Sequence, residues 1–347
     1  MAKKQSTPAK PEPKPKASSA KAATKTEKSA PPKAAAKAEK PAQAKPAPSA
    51  KKDERIDTDL LRFGTVGSPQ STPESGTPAA IKHIRELGLS HLEIAWVQSV
   101  RVTPETCALI KAAGEANHVS LSIHAPYFIN LNSLTAELME KSDARLLAAA
   151  RAGYLAGAKD IIFHPGSYHE MPPEQVYERA KQKMIELTGI LRKEGVDVYL
   201  RPETMGKSAM FGTLDEVVQL SKEVPGVLPC IDWAHLHART GNGTFNSYDE
   251  FADALTRVKN ALGEEGMGKL HFHLSGIAYG PKGEKEHLPL NEADLHYREL
   301  IQAFIDFKVG GTAAVEAPMP FHVADALTFQ ATYRHLSGKA ELVEIAD

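Results

Sequence analysis

From Leu60 onward, short runs of β-branched and aliphatic residues alternate with longer amphipathic stretches. The runs that predict strands are Leu61–Val66, His91–Trp96, Val119–Ala125, Asp160–His164, Asp197–Glu203, Val227–Asp232, Lys269–Leu274 and Thr312–Glu316. Apolar spacing of helical period predicts helices over Ala79–Leu87, Pro104–Ala116, Ala136–Ala156, Pro173–Lys193, Leu214–Lys222, Ser247–Leu262, Ala293–Phe307 and Ala324–Leu336. Strict alternation of the two kinds requires a parallel sheet with right-handed crossovers, and eight repeats predict closure into a (β/α)8 TIM barrel. The runs DIIFH, VYLRP and AAVEA are apolar without alternation, as strands buried on both faces should be. Pro104 with Glu105 and Pro173 with Glu174 mark helix starts, and Gly88, Gly157 and Gly195 fall where helices should stop.

The first 55 residues break this pattern. They are almost entirely Lys, Ala, Pro, Ser, Thr and a few Glu, and after Met1 no hydrophobe larger than alanine occurs before Ile56. Such a segment has no apolar surface to offset its ordering entropy, so residues 1–55 are expected to form a disordered basic tail and residues 56–347 the barrel domain. The tail holds 15 Lys/Arg against 5 Asp/Glu, a balance of +10, and since the whole chain is −1 the rest carries −11. A cationic tail on an acidic body can attract nucleic acid or an anionic surface, or can serve as a solvated linker. No apolar run follows the early lysines as in a secretory signal, and no stretch has the length of a membrane span. Cys107 and Cys230 lack metal-type spacing and read as reduced core residues, so a cytoplasmic protein is expected, nucleoid-associated if prokaryotic.

The chemistry lies in where polar residues fall. The third predicted strand ends in His124, the fourth in His164 and the fifth in Glu203. The sixth supplies Asp232 and His235, the seventh His273 and the eighth Glu316, with His287 in the loop after the seventh. In a closed barrel those ends converge on the face that carries active sites. Burying such groups unpaired is costly, whereas metal ions satisfy them together. Mixed imidazole and carboxylate ligands suit Zn²⁺, with Mn²⁺ as an alternative. A zinc ion takes about four ligands, so eight candidates imply at least two ions with a shared carboxylate, an arrangement suited to phosphate esters. His271 and His237 are expected to line or support the site, and Glu93 is either a supporting or a structural group. No organic cofactor is implied.

The segments HAPYFINL (124–131), FHPGS (163–167), RPET (201–204), CIDWAH (230–235), HLS (273–275) and EAP (316–318) together resemble endonuclease IV, the zinc-dependent apurinic/apyrimidinic endonucleases with a xylose-isomerase-like TIM barrel. The resemblance covers about residues 61–337. It implies three zinc ions: one on His124, His164 and Glu203, a second on Glu203, Asp232, His273 and Glu316, and a third on His235 and His287. It also implies hydrolysis of the phosphodiester 5′ to abasic sites in duplex DNA during base excision repair, with Glu203 as catalytic group and Tyr127 close to the DNA. A monomer is expected, because a duplex must reach one open barrel mouth.

Two departures stand out. The family places Asp two residues before the histidine matched by His287, where this chain has Lys285; either Glu284 or Glu286 substitutes through a shifted loop, or the third site is weak or altered, or the lysine contacts phosphate. The family's Asn-Gln-Arg-Gln-Trp segment is absent, which leaves Arg101 as the cation to probe the groove. Lys207, Arg239 and Lys282, together with Arg101 and Lys285, fall in predicted loops of the catalytic face. The rival readings are a sugar isomerase or epimerase with one divalent ion, and a nucleic-acid-binding protein without activity.

Overall fold

In the computed structural model, residues 59–339 are described; the expected tail of residues 1–55 lies outside them. The barrel strands are β1 (Leu61–Val66), β2 (His91–Ala95), β3 (Ser120–His124), β4 (Asp160–Phe163), β5 (Tyr199–Pro202), β6 (Cys230–Asp232), β7 (Leu270–Leu274) and β10 (Gly311–Val315). A hairpin of β8 (Gly276–Gly280) and β9 (Gly283–Leu288) interrupts the series after β7. The barrel strands are all parallel, in the order β5-β4-β3-β2-β1-β10-β7-β6. Parallel bridges Leu200 to Val227 and Glu203 to Cys230 join β5 to β6 and close the circle. The eight predicted strands and the TIM-barrel fold are therefore borne out.

Nine α-helices occur among the described residues: α1 (Thr77–Glu86), α2 (Pro104–Asn117), α3 (Ala136–Leu155), α4 (Pro173–Lys193), α5 (Leu214–Glu223), α6 (Trp233–Arg239), α7 (Tyr248–Met267), α8 (Tyr297–Asp306) and α9 (His322–Leu336). Local signals explain their ends. Thr103 accepts from the Thr106 amide ahead of α2, and Thr213 with Glu216 forms a capping box at α5. Gly88, Gly157 and Gly195 all follow helices with positive φ, as expected.

Three elements differ from expectation. Helix α6 was not expected; it is short and buried over Trp233–Ala238, so it has no polar face to give a helical period. The β8–β9 hairpin stands where a loop is expected; its second strand, GEKEHL, is largely polar and half-exposed and so carries no apolar alternation. The helix expected over Ala293–Phe307 begins only at Tyr297, since Asp294 is held by His237 Nε2 at 3.0 Å and the Tyr279 hydroxyl at 2.7 Å. No helix among the described residues is long and apolar enough to cross a membrane. Cys107 and Cys230 are buried and unpaired.

The barrel interior is polar. Strands β2 and β7 are not neighbours, yet Glu93 reaches His271 Nε2 at 2.8 Å and His273 Nε2 at 3.0 Å, a contact that must cross the lumen. His91, Glu93, Ser122, His124, His271 and His273 thus face inward and are fully buried, while Leu92, Ile123, Phe272 and Leu274 between them join the apolar layer under the helices. There Phe272 stacks on Phe304 at 4.6 Å, with Trp233 beside them. The runs expected to be apolar without alternation belong to β4, β5 and β10, whereas β2, β3 and β7 alternate, with the polar set turned into the lumen rather than to solvent.

One member of this layer makes stability pH-dependent. His91 is held between Ser120 Oγ (2.9 Å) and Ser122 Oγ (3.0 Å) with no ion-pair partner. Burial, with repulsion from His271, lowers its pKa to about 3. An unfolded chain binds the proton near pH 6.5 and the folded chain does not, so the neutral imidazole favours folding above 6.5 and that contribution drains away as pH falls toward 3. Urea unfolding of wild type and His91→Asn between pH 6 and 4 should show wild type losing about 1 kcal/mol more per pH unit, the value of one proton. Parallel slopes would contradict it.

Candidate metal centre

The carboxyl ends of the strands bring five expected side chains around one carboxylate. Glu203 follows β5 directly and is fully buried, with neither carboxylate oxygen hydrogen-bonded. Its Oε2 lies 3.6 Å from His124 Nε2 and 3.5 Å from His164 Nε2. Its Oε1 lies 3.5 Å from His273 Nδ1, which is also 3.9 Å from Asp232 Oδ2 and 3.6 Å from Glu316 Oε2. The two oxygens therefore belong to two separate ligand-type groups: His124, His164 and Glu203 on one side, and Glu203, Asp232, His273 and Glu316 on the other.

Four of the imidazoles are aimed by a partner on the far side of the ring. His124 Nδ1 bonds the Ala125 carbonyl at 2.9 Å, which leaves Nε2 for the cluster. His273 Nε2 is held by Glu93, which leaves Nδ1, and His287 Nδ1 is held by Ser275 Oγ at 2.6 Å. His235 donates Nδ1–H to the Thr204 carbonyl at 2.9 Å, so the 3.0 Å approach of Glu203 Oε1 to the same nitrogen is a charge contact rather than a hydrogen bond. Such outer contacts fix imidazole tautomers in metal sites. Sequence reasoning left Glu93 open and did not single out Ser275 or Thr204; their roles exist only in the folded geometry.

His235 lies on α6 rather than at a strand end. Asp232 caps that helix through Oδ1, accepting from the His235 amide at 2.6 Å, and its Oδ2 is left without a hydrogen bond. His287, on β9, places Nε2 3.5 Å from Glu316 Oε2, and Asp232, His235 and His287 form a third group of ligand type. His271 supports Glu93 from the layer beneath. His237 points away from the cluster to Thr244 and Asp294.

Left to protons alone, the cluster is electrostatically conflicted. Burial opposes charge on His124 and His235, but Glu203 for the first and Asp232 with Glu203 for the second carry them to about 9 and about 10. His273 is likewise raised, burial being outweighed by Cys230 and the surrounding carboxylates. Burial takes His164 down to about 3, and burial together with Glu203 takes Asp232 up to about 6. Glu203 is held well below the usual carboxylate range because His273 and its other imidazole neighbours outweigh burial. The carboxylates demand positive charge, and the unbonded atoms His124 Nε2, Glu203 Oε1 and Oε2, Asp232 Oδ2 and His273 Nδ1 converge on it. An uncompensated buried ion costs several kcal/mol, roughly. Divalent cations fit this donor set. The other close groups, His91 with Glu93 and His271, and Cys230 with His271 and His273, do not call for an ion, since their ring nitrogens are largely hydrogen-bonded to one another and to Ser or Thr hydroxyls.

A cavity of about 410 Å³ opens over the cluster between Tyr127, His164, Lys207, Glu284, His287 and Glu316. A larger cleft, about 640 Å³, lies at the opposite end of the strands near Lys111 and Lys159 and holds no buried ionisable cluster, so size does not locate the site. Tyr127 packs edge-on against His124, with ring centroids 5.5 Å apart. Lys207, Lys282, Lys285 and Arg101 are exposed, and of these Lys207 lines the cavity. Arg239 departs from expectation: its guanidinium binds the carbonyls of Met205, Lys207 and Met210, so it straps the loop after β5.

The chain is 38% identical over 277 residues, 80% of its length and 98% of the relative's, to an uncharacterised protein of Methanocaldococcus jannaschii. It is 30% identical over 161 residues to a probable endonuclease 4 of Staphylococcus carnosus, spanning 44% of this chain and about half, 51%, of the relative. Among solved structures, endonuclease IV from Thermus thermophilus superposes with a TM-score of 0.61 at 24% identity, covering 80% of this chain and 100% of that one. A D-tagatose 3-epimerase-like protein superposes at 0.60 with 16% identity, covering 80% and 97%. Residues 81–333 match the family model described as xylose isomerase-like TIM barrel, and the chain belongs to that family.

Proposed function

We propose that the protein is a metal-dependent phosphodiester hydrolase that cuts duplex DNA 5′ to abasic sites, with Zn²⁺ as the metal. The observation that carries this reading is the division of Glu203 between two donor groups, which suits a bridging carboxylate of a multi-ion site. The partial likeness to a probable endonuclease 4 supports it.

Bound divalent ions would supply water ionised near neutral pH and neutralise charge on the phosphate. The chain's own groups do the rest. His124, His164, Asp232, His273 and Glu316 surround Glu203, and His124, Asp232 and His273 are held in place by hydrogen bonds before substrate arrives, so little reorganisation is needed there. Glu203, between the two donor groups, is the group placed to hold and orient the attacking water. Lys207 lines the wall where a phosphate enters. Tyr127, Phe128, Met319 and Phe321 present exposed apolar side chains on the loops after β3 and β10, placed to enter a base stack beside a missing base. Arg101 and Lys285 would contact the backbone further out.

The second reading is a sugar isomerase or epimerase with one divalent ion. It is favoured by the fold likeness to an epimerase-like protein and by a cavity of about 410 Å³ in an acidic body, which suits a small neutral substrate. One experiment separates the two: incision of a duplex with a single abasic site, with and without chelator, beside a ketohexose epimerisation assay on the same preparation. Chelator-sensitive incision supports the nuclease. Epimerisation without incision would sink it.

A further inference from the structure

The β8–β9 hairpin carries an irregularity that the fold does not need. Ala278 pairs with Glu286, and the next pair is Tyr279 with Glu284, so Lys285 is an extra residue with no partner. In a regular strand Lys285 and His287 would share a face and Glu284 would lie opposite; one inserted residue shifts that alternation and re-aims the side chains before it. The observed positions follow the shifted pattern. Glu284 and His287 both line the cavity over the cluster, whereas Lys285 and Glu286 are exposed and do not. Glu284 Oε2 lies 3.6 Å from His235 Nε2, on the side of that ring away from Glu203.

We infer that the bulge at Lys285 turns Glu284 into the carboxylate ligand of a third divalent ion, held with His235 and His287 beside the Glu203 cluster. The inference rests on the multi-ion reading above and adds a ligand to it. Both imidazoles are prepared for the role: the Nδ1 of His235 is held by the Thr204 carbonyl and the Nδ1 of His287 by Ser275, which leaves each Nε2 for a cation. Three protein ligands are what a reactive zinc site commonly uses. The backbone also makes room. A Cβ at Gly206 would sit 2.8 Å from both Cβ and Oε2 of Glu284 and 2.9 Å from His235 Cδ2, inside the seat where the two side chains meet. The hairpin tip is docked on that glycine, the Glu284 amide donating to the Gly206 carbonyl at 2.9 Å.

Zinc stoichiometry, read by elemental analysis after equilibration in a graded zinc buffer, tests this. Wild type should hold three ions per chain, and Glu286→Gln should match it. Glu284→Gln should keep two and bind the last more than about 100-fold more weakly, beyond the loss seen when only outer support is removed. Gly206→Ala, which keeps every ligand, should lose the same ion. Cobalt titration gives an independent reading, because the visible band of the last equivalent should vanish in both variants. A third ion retained with unchanged affinity in Glu284→Gln overturns the inference, as does a wild type that saturates at two. Saturation of wild type at one ion overturns the multi-ion reading itself.

Discussion

Replacing Glu203 with glutamine is expected to abolish strand incision, by about 1,000-fold or more, while leaving the fold intact. The reasoning is electrostatic. Loss of one aimed group in a water-poor site commonly costs about 100- to 1,000-fold, and Glu203 serves both donor groups at once. The amide is nearly isosteric, so packing around this fully buried side chain is retained, but one oxygen and the negative charge are gone. Either His124 and His164 on one side or His273 on the other then faces an amide NH2 in place of an oxygen, and both sides lose the negative charge. The variant should hold fewer ions at equal free zinc, with an unchanged circular dichroism spectrum. Incision within about 10-fold of wild type would remove Glu203 from the mechanism.

The second large effect concerns stability. Arg201, two residues before Glu203, is 2% exposed and binds Asp160 Oδ1 through Nε and the carbonyls of Pro229 and Lys269 through its two Nη atoms, each at 2.7 Å. It therefore ties β4, β5 and the entries to β6 and β7 at the end of the barrel away from the metal centre. Arg201→Met should cost about 3–5 kcal/mol, because it leaves a carboxylate and two carbonyls without partners. The double variant Arg201→Met/Asp160→Leu should recover much of that loss, since the stranded charge goes too. Equal stability of wild type and Arg201→Met in urea would contradict this account.

The fold was legible because alternation of strand and helix patterns survives small errors in boundaries. The strand ends were legible too: a polar residue that closes an apolar run such as DIIF has one place to go in a closed barrel, and His124, His164, Glu203, Asp232, His273 and Glu316 do meet. What the sequence hid depends on distances across the lumen. Glu93 and His271 are 178 positions apart, and nothing local marks them as partners. The alternation in LHFHL would signal a solvent face in an open sheet, whereas here the polar side is the lumen. Arg239 looked like a free loop cation, but its role is set by three carbonyls of a loop well before it in the chain. Which of Glu284 and Glu286 faces the cavity was not legible, because the segment reads as a loop and the bulge at Lys285 exists only in the folded hairpin.

The most direct test is crystallography of zinc-equilibrated protein, with anomalous differences collected on both sides of the zinc absorption edge. Two anomalous peaks flanking Glu203, one among His124 and His164 and one among Asp232, His273 and Glu316, are the predicted result. A single peak, or ions bound elsewhere with Glu203 bridging nothing, would contradict it.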